Sequence, residues 1–162
     1  MDAAAQAELV GKIFLAALCG GLIGWQRDRH QYDAGLRTMA LVALGATLFT
    51  GLNDTLGVDR IAANIVTGVG FLGAGIIFRE GATVRGITTA ATVWSVAAIG
   101  MAIGAELYLV ALVTTPLVFV ILEMRSISGY LSGRLSEMPF LDPLRSSSSD
   151  TEASAPDDDG DG

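Results

Sequence analysis

Residues 68–94 read GVGFLGAGIIFREGATVRGITTAATVW. The stretch opens with Gly68-x-Gly70-x-x-Gly73, a spacing that cradles a dinucleotide pyrophosphate in one class of soluble protein. That fingerprint needs a strand before the glycines, a helix after them and a carboxylate about twenty positions on. Here the glycines lie inside an apolar run, and the downstream ITTAATVW carries no carboxylate. In a bilayer the same glycines do different work: they remove side-chain bulk so that another helix backbone can approach closely. Gly20 with Gly24, Gly70 with Ala74 and Gly100 with Gly104 repeat the small-xxx-small spacing. The expected helix-packing residues are therefore Gly20, Gly24, Gly68, Gly70, Gly73, Gly75, Gly100 and Gly104.

Composition points to the same solvent. Of the 162 residues, 51% are hydrophobic and only 17% are charged, with a mean hydropathy of +0.52. A soluble domain of this size needs more charged surface. The formal charge of −7 belongs mostly to the end of the chain, where Asp150, Glu152, Asp157, Asp158, Asp159 and Asp161 face no basic residue after Arg145. The body is close to neutral, and nothing in it points to nucleic acid. Residues 146–162, SSSSDTEASAPDDDGDG, lack apolar periodicity and are expected to be disordered. The single cysteine, Cys19, excludes an internal disulfide and reads as a small buried hydrophobe. The N-terminus lacks the basic region of a secretory signal, so the first segment is expected to be retained.

Five apolar segments follow one another: 9–25, 38–52, 61–78, 87–103 and 107–122. Each is at or slightly below the ~20 residues that cross a hydrocarbon layer. Only Gly104, Ala105 and Glu106 separate the last two, so one long helix broken at that point is the alternative count. With five spans, Arg27, Arg29, Arg37, Arg79, Arg85, Arg125, Arg134 and Arg145 fall on one side, and only Lys12 and Arg60 on the other. The positive-inside rule then places the N-terminus outside and the C-terminus in the cytoplasm. The expected fold is an all-α polytopic membrane helix bundle of about five transmembrane helices. Its expected divisions are a transmembrane domain over 1–125, a short cytoplasmic extension over 126–145 and the acidic tail over 146–162.

Three blocks carry a family resemblance: GGLIGWQRD from Gly20 to Asp28, AGLRTMALVALGA from Ala34 to Ala46, and the REGxxVRGxTTAAT core from Arg79 to Thr92. On these residues the chain resembles the MgtC/SapB family of small multi-pass membrane proteins, in their N-terminal membrane domain. The resemblance implies a bacterial or archaeal cell membrane and a link to growth at low magnesium. Some relatives are thought to restrain the proton-driven ATP synthase. Two departures stand out. Gln26 occupies a place where members commonly carry Glu, and the residues after Arg125 are too few for the cytoplasmic C-terminal domain of many members.

The candidate site is a polar rim at the cytoplasmic interface, made of Arg27, Asp28, Arg37, Thr38, Arg79, Glu80, Arg85, Thr88, Thr89 and Thr92. One reading makes these residues anchors that orient the chain and touch anionic headgroups. The sharper reading is a vestibule in which arginines, carboxylates and threonines form an ordered network that a partner or ion engages. Thr88 and Thr92 share one helix face, although a threonine hydroxyl can also bond its own backbone. Asp28, Asp33 and Glu80 each lie beside a competing arginine, so no metal site is expected. His30 has no nucleophile nearby in sequence, so no catalytic residue and no cofactor are expected. Asn64 and Thr67 on the third span suggest a helix–helix hydrogen bond. Trp94 reads as a packing anchor, and Pro116 as a kink whose freed carbonyl Thr115 or a neighbour meets.

The expected function is a non-enzymatic membrane regulator of energetics or magnesium-linked homeostasis, acting through helix contacts. Its expected partners are the lipid bilayer and either a membrane complex such as the ATP synthase or further copies of the chain. The alternative is a small oligomeric transporter or channel for magnesium or another ion.

Overall fold

A computed structural model describes residues 2–53, 60–80 and 83–136, with side chains as far as Met124 except those of Arg79 and Glu80. The expected disordered tail lies outside the described residues. Among the described residues five helices run in chain order: α1 Ala3–Arg29, α2 Leu36–Gly51, α3 Ile61–Ile76, α4 Ile87–Gly104 and α5 Tyr108–Ser136. The all-α expectation holds apart from a short hairpin between α3 and α4, formed by β1 Phe78–Glu80 and β2 Thr83–Arg85. The strands are antiparallel, with Phe78 opposite Arg85, Arg79 opposite Val84 and Glu80 opposite Thr83. The apolar run expected to continue to Phe78 therefore leaves the helix at Ile76.

Two helices, α1 and α4, are long and apolar enough to cross a membrane; α2, α3 and the described part of α5 are shorter apolar helices. The chain forms two units, Met1–Leu122 and Glu123–Gly162. The core lies in the first.

Helix ends explain where the segments stop. Asp2 starts α1 by accepting a hydrogen bond from the Ala5 amide at 2.8 Å. The helix closes through a Schellman turn, in which the Tyr32 amide returns to the Arg27 carbonyl and the Gln31 amide to the Asp28 carbonyl. The turn requires left-handed backbone, and Gln31 adopts it at φ 58°. At the far end of α4 the same device recurs: Leu107 returns to Ala102, Glu106 to Ile103, and Glu106 sits at φ 64°. The break between the last two expected spans is thus a capped helix end. α4 and α5 are separate helices.

The centre of the bundle is α1, α2 and α4. Met39, Ala43, Ala46 and Thr47 form the buried stripe of α2, and α4 buries ten residues, among them Val93, Val96, Ile99 and Ile103. Ala43 is the point where the three helices meet. A Cβ added to Gly20 of α1 would lie 2.8 Å from the Ala43 Cβ, and one added to Gly100 of α4 would run into the Ala43 carbonyl. Gly24 faces Leu36 and Gly104 faces Thr47 and Thr50 in the same manner. Close backbone approach also allows the Thr47 hydroxyl to donate to the Gly100 carbonyl at 2.7 Å. This is the small-residue packing expected for membrane helices.

The glycines of α3 behave differently. Gly73 makes ordinary contact with Ala90 of α4, but a side chain added at Gly68, Gly70 or Gly75 would meet nothing in the chain. The reason is rotational: the buried positions of α3 are Val69 and Gly73, four apart, and the other three glycines lie off that stripe. An apolar groove of about 670 Å³ runs between α2 and α3, with Gly45 and Gly68 in its lining. A second groove of about 420 Å³ lies between α3 and α4, where Trp94 is half exposed and forms part of the wall. In α5, Ala111 and Thr115 are buried, and Val118 and Leu122 pack on the core. Leu109, Leu112, Val113, Leu117, Val120 and Ile121 face outward.

Candidate functional site

The residues at the α1 carboxyl end and the α4 amino end build one buried network. Arg27 is fully buried. Its Nε donates to the Ala34 carbonyl at 3.1 Å, its Nη1 to the Thr92 hydroxyl at 3.4 Å, and its Nη2 to the Thr89 hydroxyl. The Tyr32 ring lies over the guanidinium, 4.3 Å from Cζ to the ring centroid. The Schellman turn explains this placement, because it folds residue 32 back over the last turn of α1. Thr92 also donates to the Thr88 carbonyl at 2.7 Å, so its hydroxyl bonds its own helix and receives Arg27 at the same time.

Of the expected rim, the structure brings Arg27, Thr89 and Thr92 together. Asp28 is one residue from Arg27 but serves α2: its Oδ2 accepts from the Leu36 amide at 3.0 Å. The N-cap of α2 is Gly35, which has no side chain to cap with, and a Cβ there would overlap the Asp28 carboxylate. Asp28 is thus a cap supplied from the preceding helix. Arg37, Thr38, Arg85 and Thr88 have exposed side chains at the same end of the bundle. Arg79 and Glu80 are placed in β1 by their backbone alone. The hairpin returns the chain to α4 at Gly86, whose φ is 88° and whose missing Cβ makes room for the Ile76 carbonyl. At the α1 end, Arg29 stacks on Trp25 at 4.8 Å.

A second polar cluster sits at the opposite end, around Lys12. Lys12, 9% exposed, pairs with Glu8 one turn earlier at 2.8 Å and with Glu106 of the α4–α5 turn at 3.0 Å. The Glu8–Lys12 spacing was readable as an i, i+4 pair; the Glu106 partner, 94 positions away, was not. Thr67 donates to the Ala63 carbonyl of its own helix and not across helices. Thr115 likewise donates to Ala111, one residue before the carbonyl that Pro116 frees. Among the described residues there is no group of three or more metal-ligating side chains.

These features define a small bundle of apolar helices, closed by glycine contacts and carrying buried polar clusters at its two ends. The profile of the MgtC family matches residues 13–128, and the chain belongs to that family. It is similar to Protein MgtC of Brucella abortus (strain 2308), 52% identical over 110 residues, which cover 65% of this chain and 45% of that protein. It is also similar to Protein MgtC of Salmonella typhimurium (strain 14028s / SGSC 2262), 45% identical over 131 residues, 79% of this chain and 55% of that protein. The chain thus spans about half the length of the curated relatives it matches. No solved structure matches it.

Proposed function

We infer that the chain is a multi-pass protein of the cell membrane, with its N-terminus outside and C-terminus in the cytoplasm. It acts without catalysis, as a regulator of membrane energetics or magnesium-linked homeostasis, through helix contacts with a membrane partner. The observation that carries this reading is the contrast between two sets of glycines. Gly20, Gly24, Gly100 and Gly104 are used up inside the chain, whereas Gly68 and Gly75, seven apart on one face of α3, meet nothing in it. Small residues on a lipid-facing helix favour close approach of another helix. The distribution of buried polar groups also favours a regulator over a pore within one chain. Arg27, Thr89 and Thr92 lie at one end and Lys12 at the other. Between them lie Ala16, Ile23, Met39, Ala43, Val93 and Val96, all buried and apolar, and the buried Thr47 hydroxyl of α2 is spent on the Gly100 carbonyl. An ion path would need several copies of the chain.

The test pairs two measurements on protein extracted in mild detergent. The regulator reading expects a membrane protein to co-purify, and expects that association to weaken when Gly75 is replaced by Leu. It also expects no magnesium flux in proteoliposomes. Robust flux with only the bait recovered would favour the oligomeric transporter. Cysteines introduced at Arg29 and Arg60 are expected to react with impermeant reagents from opposite sides; labelling from the same side would remove the topology.

A further inference from the structure

α3 turns Val69 and Gly73 to the core of the bundle. Asn64, Gly68, Phe71 and Gly75 follow one another at spacings of four, three and four. At about 100° per residue they form a single stripe on another side of the helix. A Cβ added at Gly68 or Gly75 would meet nothing in the chain. Phe71 is 80% exposed, more than any other large apolar side chain among the described residues. Asn64 is exposed at the rim of the groove between α2 and α3.

The polar member of that stripe asks for a partner. Thr67, on the next turn, satisfies its hydroxyl on the Ala63 carbonyl of its own helix. The Asn64 carboxamide makes no hydrogen bond among the described residues. It lies one turn inside an apolar run, with Ile61, Ile65 and Val66 around it in sequence. A carboxamide facing lipid alone is costly, and such side chains join membrane helices by hydrogen bonding across them.

The chemistry of the stripe selects what covers it. A carboxamide carries both donors and an acceptor, so a second Asn64 answers the first, each NH2 donating to the other's carbonyl. Two copies inserted in the same orientation, and related by a two-fold axis along the membrane normal, bring identical residues together at the same depth. Asparagine is short and reaches across only where two helices come close. Gly68, one turn further on, removes the bulk that would hold them apart. Shape repeats the match, because Phe71 stands three residues from Gly68 and four from Gly75. The ring of each copy packs into the notch left by the glycines of the other.

We propose that a second copy of this chain covers the stripe, in a two-fold α3–α3 pair closed by reciprocal Asn64 hydrogen bonds. The pairing rests on the reading of this face as a helix-docking surface within the membrane, and it names the helix that docks.

The experiment uses the full chain, labelled at its C-terminus with donor dye in one batch and acceptor dye in another, and reconstituted together in phosphatidylcholine vesicles. Energy transfer between copies is followed as lipid is added. Asn64→Leu makes the helix more apolar, yet is expected to weaken association roughly tenfold through loss of the amide pair. Asn64→Gln is expected to restore much of it. In a Cys19→Ala background, Phe71→Cys is expected to cross-link the copies, and Val66→Cys, exposed on another side of α3, is not. Transfer no greater than chance proximity, affinity unchanged by Asn64→Leu, or cross-linking through Val66→Cys in place of Phe71→Cys overturns the pair. If Gly75→Leu releases a different membrane protein while copies never associate, the pairing fails and the regulator reading stands. If copies associate through Asn64 and no other protein co-purifies, the pairing stands and the regulator reading fails.

Discussion

The Arg27 side chain of α1 and the Thr89 hydroxyl of α4 share a buried hydrogen bond across 62 positions of chain. With the Thr92 and Ala34 contacts, it fixes the end of α1 against the start of α4. Two consequences oppose each other at Arg27: hydrogen bonds to a charged group stabilise, and the buried charge itself costs. Arg27→Ala removes the bonds and leaves a cavity, and should destabilise by about 2–4 kcal/mol. Arg27→Met removes the charge but fills most of the space, and is expected within about 1.5 kcal/mol of the parent, in the range of a volume-conserving change. Thermal unfolding in detergent checks the order. If Met were as damaging as Ala, the hydrogen bonds would outweigh packing.

The glycines separate into two classes by what a methyl group would meet. At Gly100 it would collide with the Ala43 backbone, which cannot move without displacing α2. Gly100→Ala should therefore cost about 1–3 kcal/mol, the range for forcing extra bulk into a packed core. At Gly68 and Gly70 the space is open, and alanine should raise stability by about 0.5–1 kcal/mol through helix propensity. Denaturant titration of the three variants tests both halves. A fall in stability at Gly70→Ala would show that α3 is packed in solution by something else.

Gly86 is required twice over. Its φ of 88° is left-handed, and a Cβ would strike the Ile76 carbonyl where α3 ends. Gly86→Ala should cost about 1–3 kcal/mol, the range for a residue held in a sparsely populated conformation, with the overlap adding to it. The loss should appear as faster proteolysis at the 77–86 hairpin before any change in overall helicity. Simultaneous loss of both would mean that the hairpin and the bundle unfold as one.

The five apolar segments and their boundaries were legible because charge interrupts hydrophobicity at nearly every helix end. The hairpin was not, because Ile76, Ile77 and Phe78 continue the apolar run and the polar signal begins only at Arg79. The β-branched Thr83 and Val84 ahead of a glycine were the available hint. At the site, residue types and the rim's location could be read, but partnership could not. Arg27 and Asp28 are neighbours in sequence, yet successive helix residues point about 100° apart, so one turns to α4 and the other to the start of α2. The pairing of Lys12 with Glu106 depends on how α1 lies against the α4–α5 turn. Local pattern carries no record of that.

Glu106 combines a favourable side chain with an unfavourable backbone, and the two effects can be separated. Its carboxylate pairs with Lys12 at 3.0 Å but is itself more than half exposed, so the pair contributes at most about 1 kcal/mol after solvent screening. Its φ of 64° costs a non-glycine residue roughly 1–2 kcal/mol. Glu106→Gln removes only the charge and should destabilise slightly, an effect that 1 M salt should erase. Glu106→Gly removes the charge and relieves the backbone, so it should be neutral or stabilising. Gln31 holds the equivalent position after α1 at φ 58°, without an ion pair among the described residues but with an exposed side-chain hydrogen bond to the Asp28 carbonyl at 3.3 Å. Gln31→Gly should stabilise by up to about 1 kcal/mol, and its margin over Glu106→Gly reports the Lys12 pair less the exposed Gln31–Asp28 hydrogen bond. If the two glycine variants gained equally, Lys12 would draw its stabilisation from Glu8 alone.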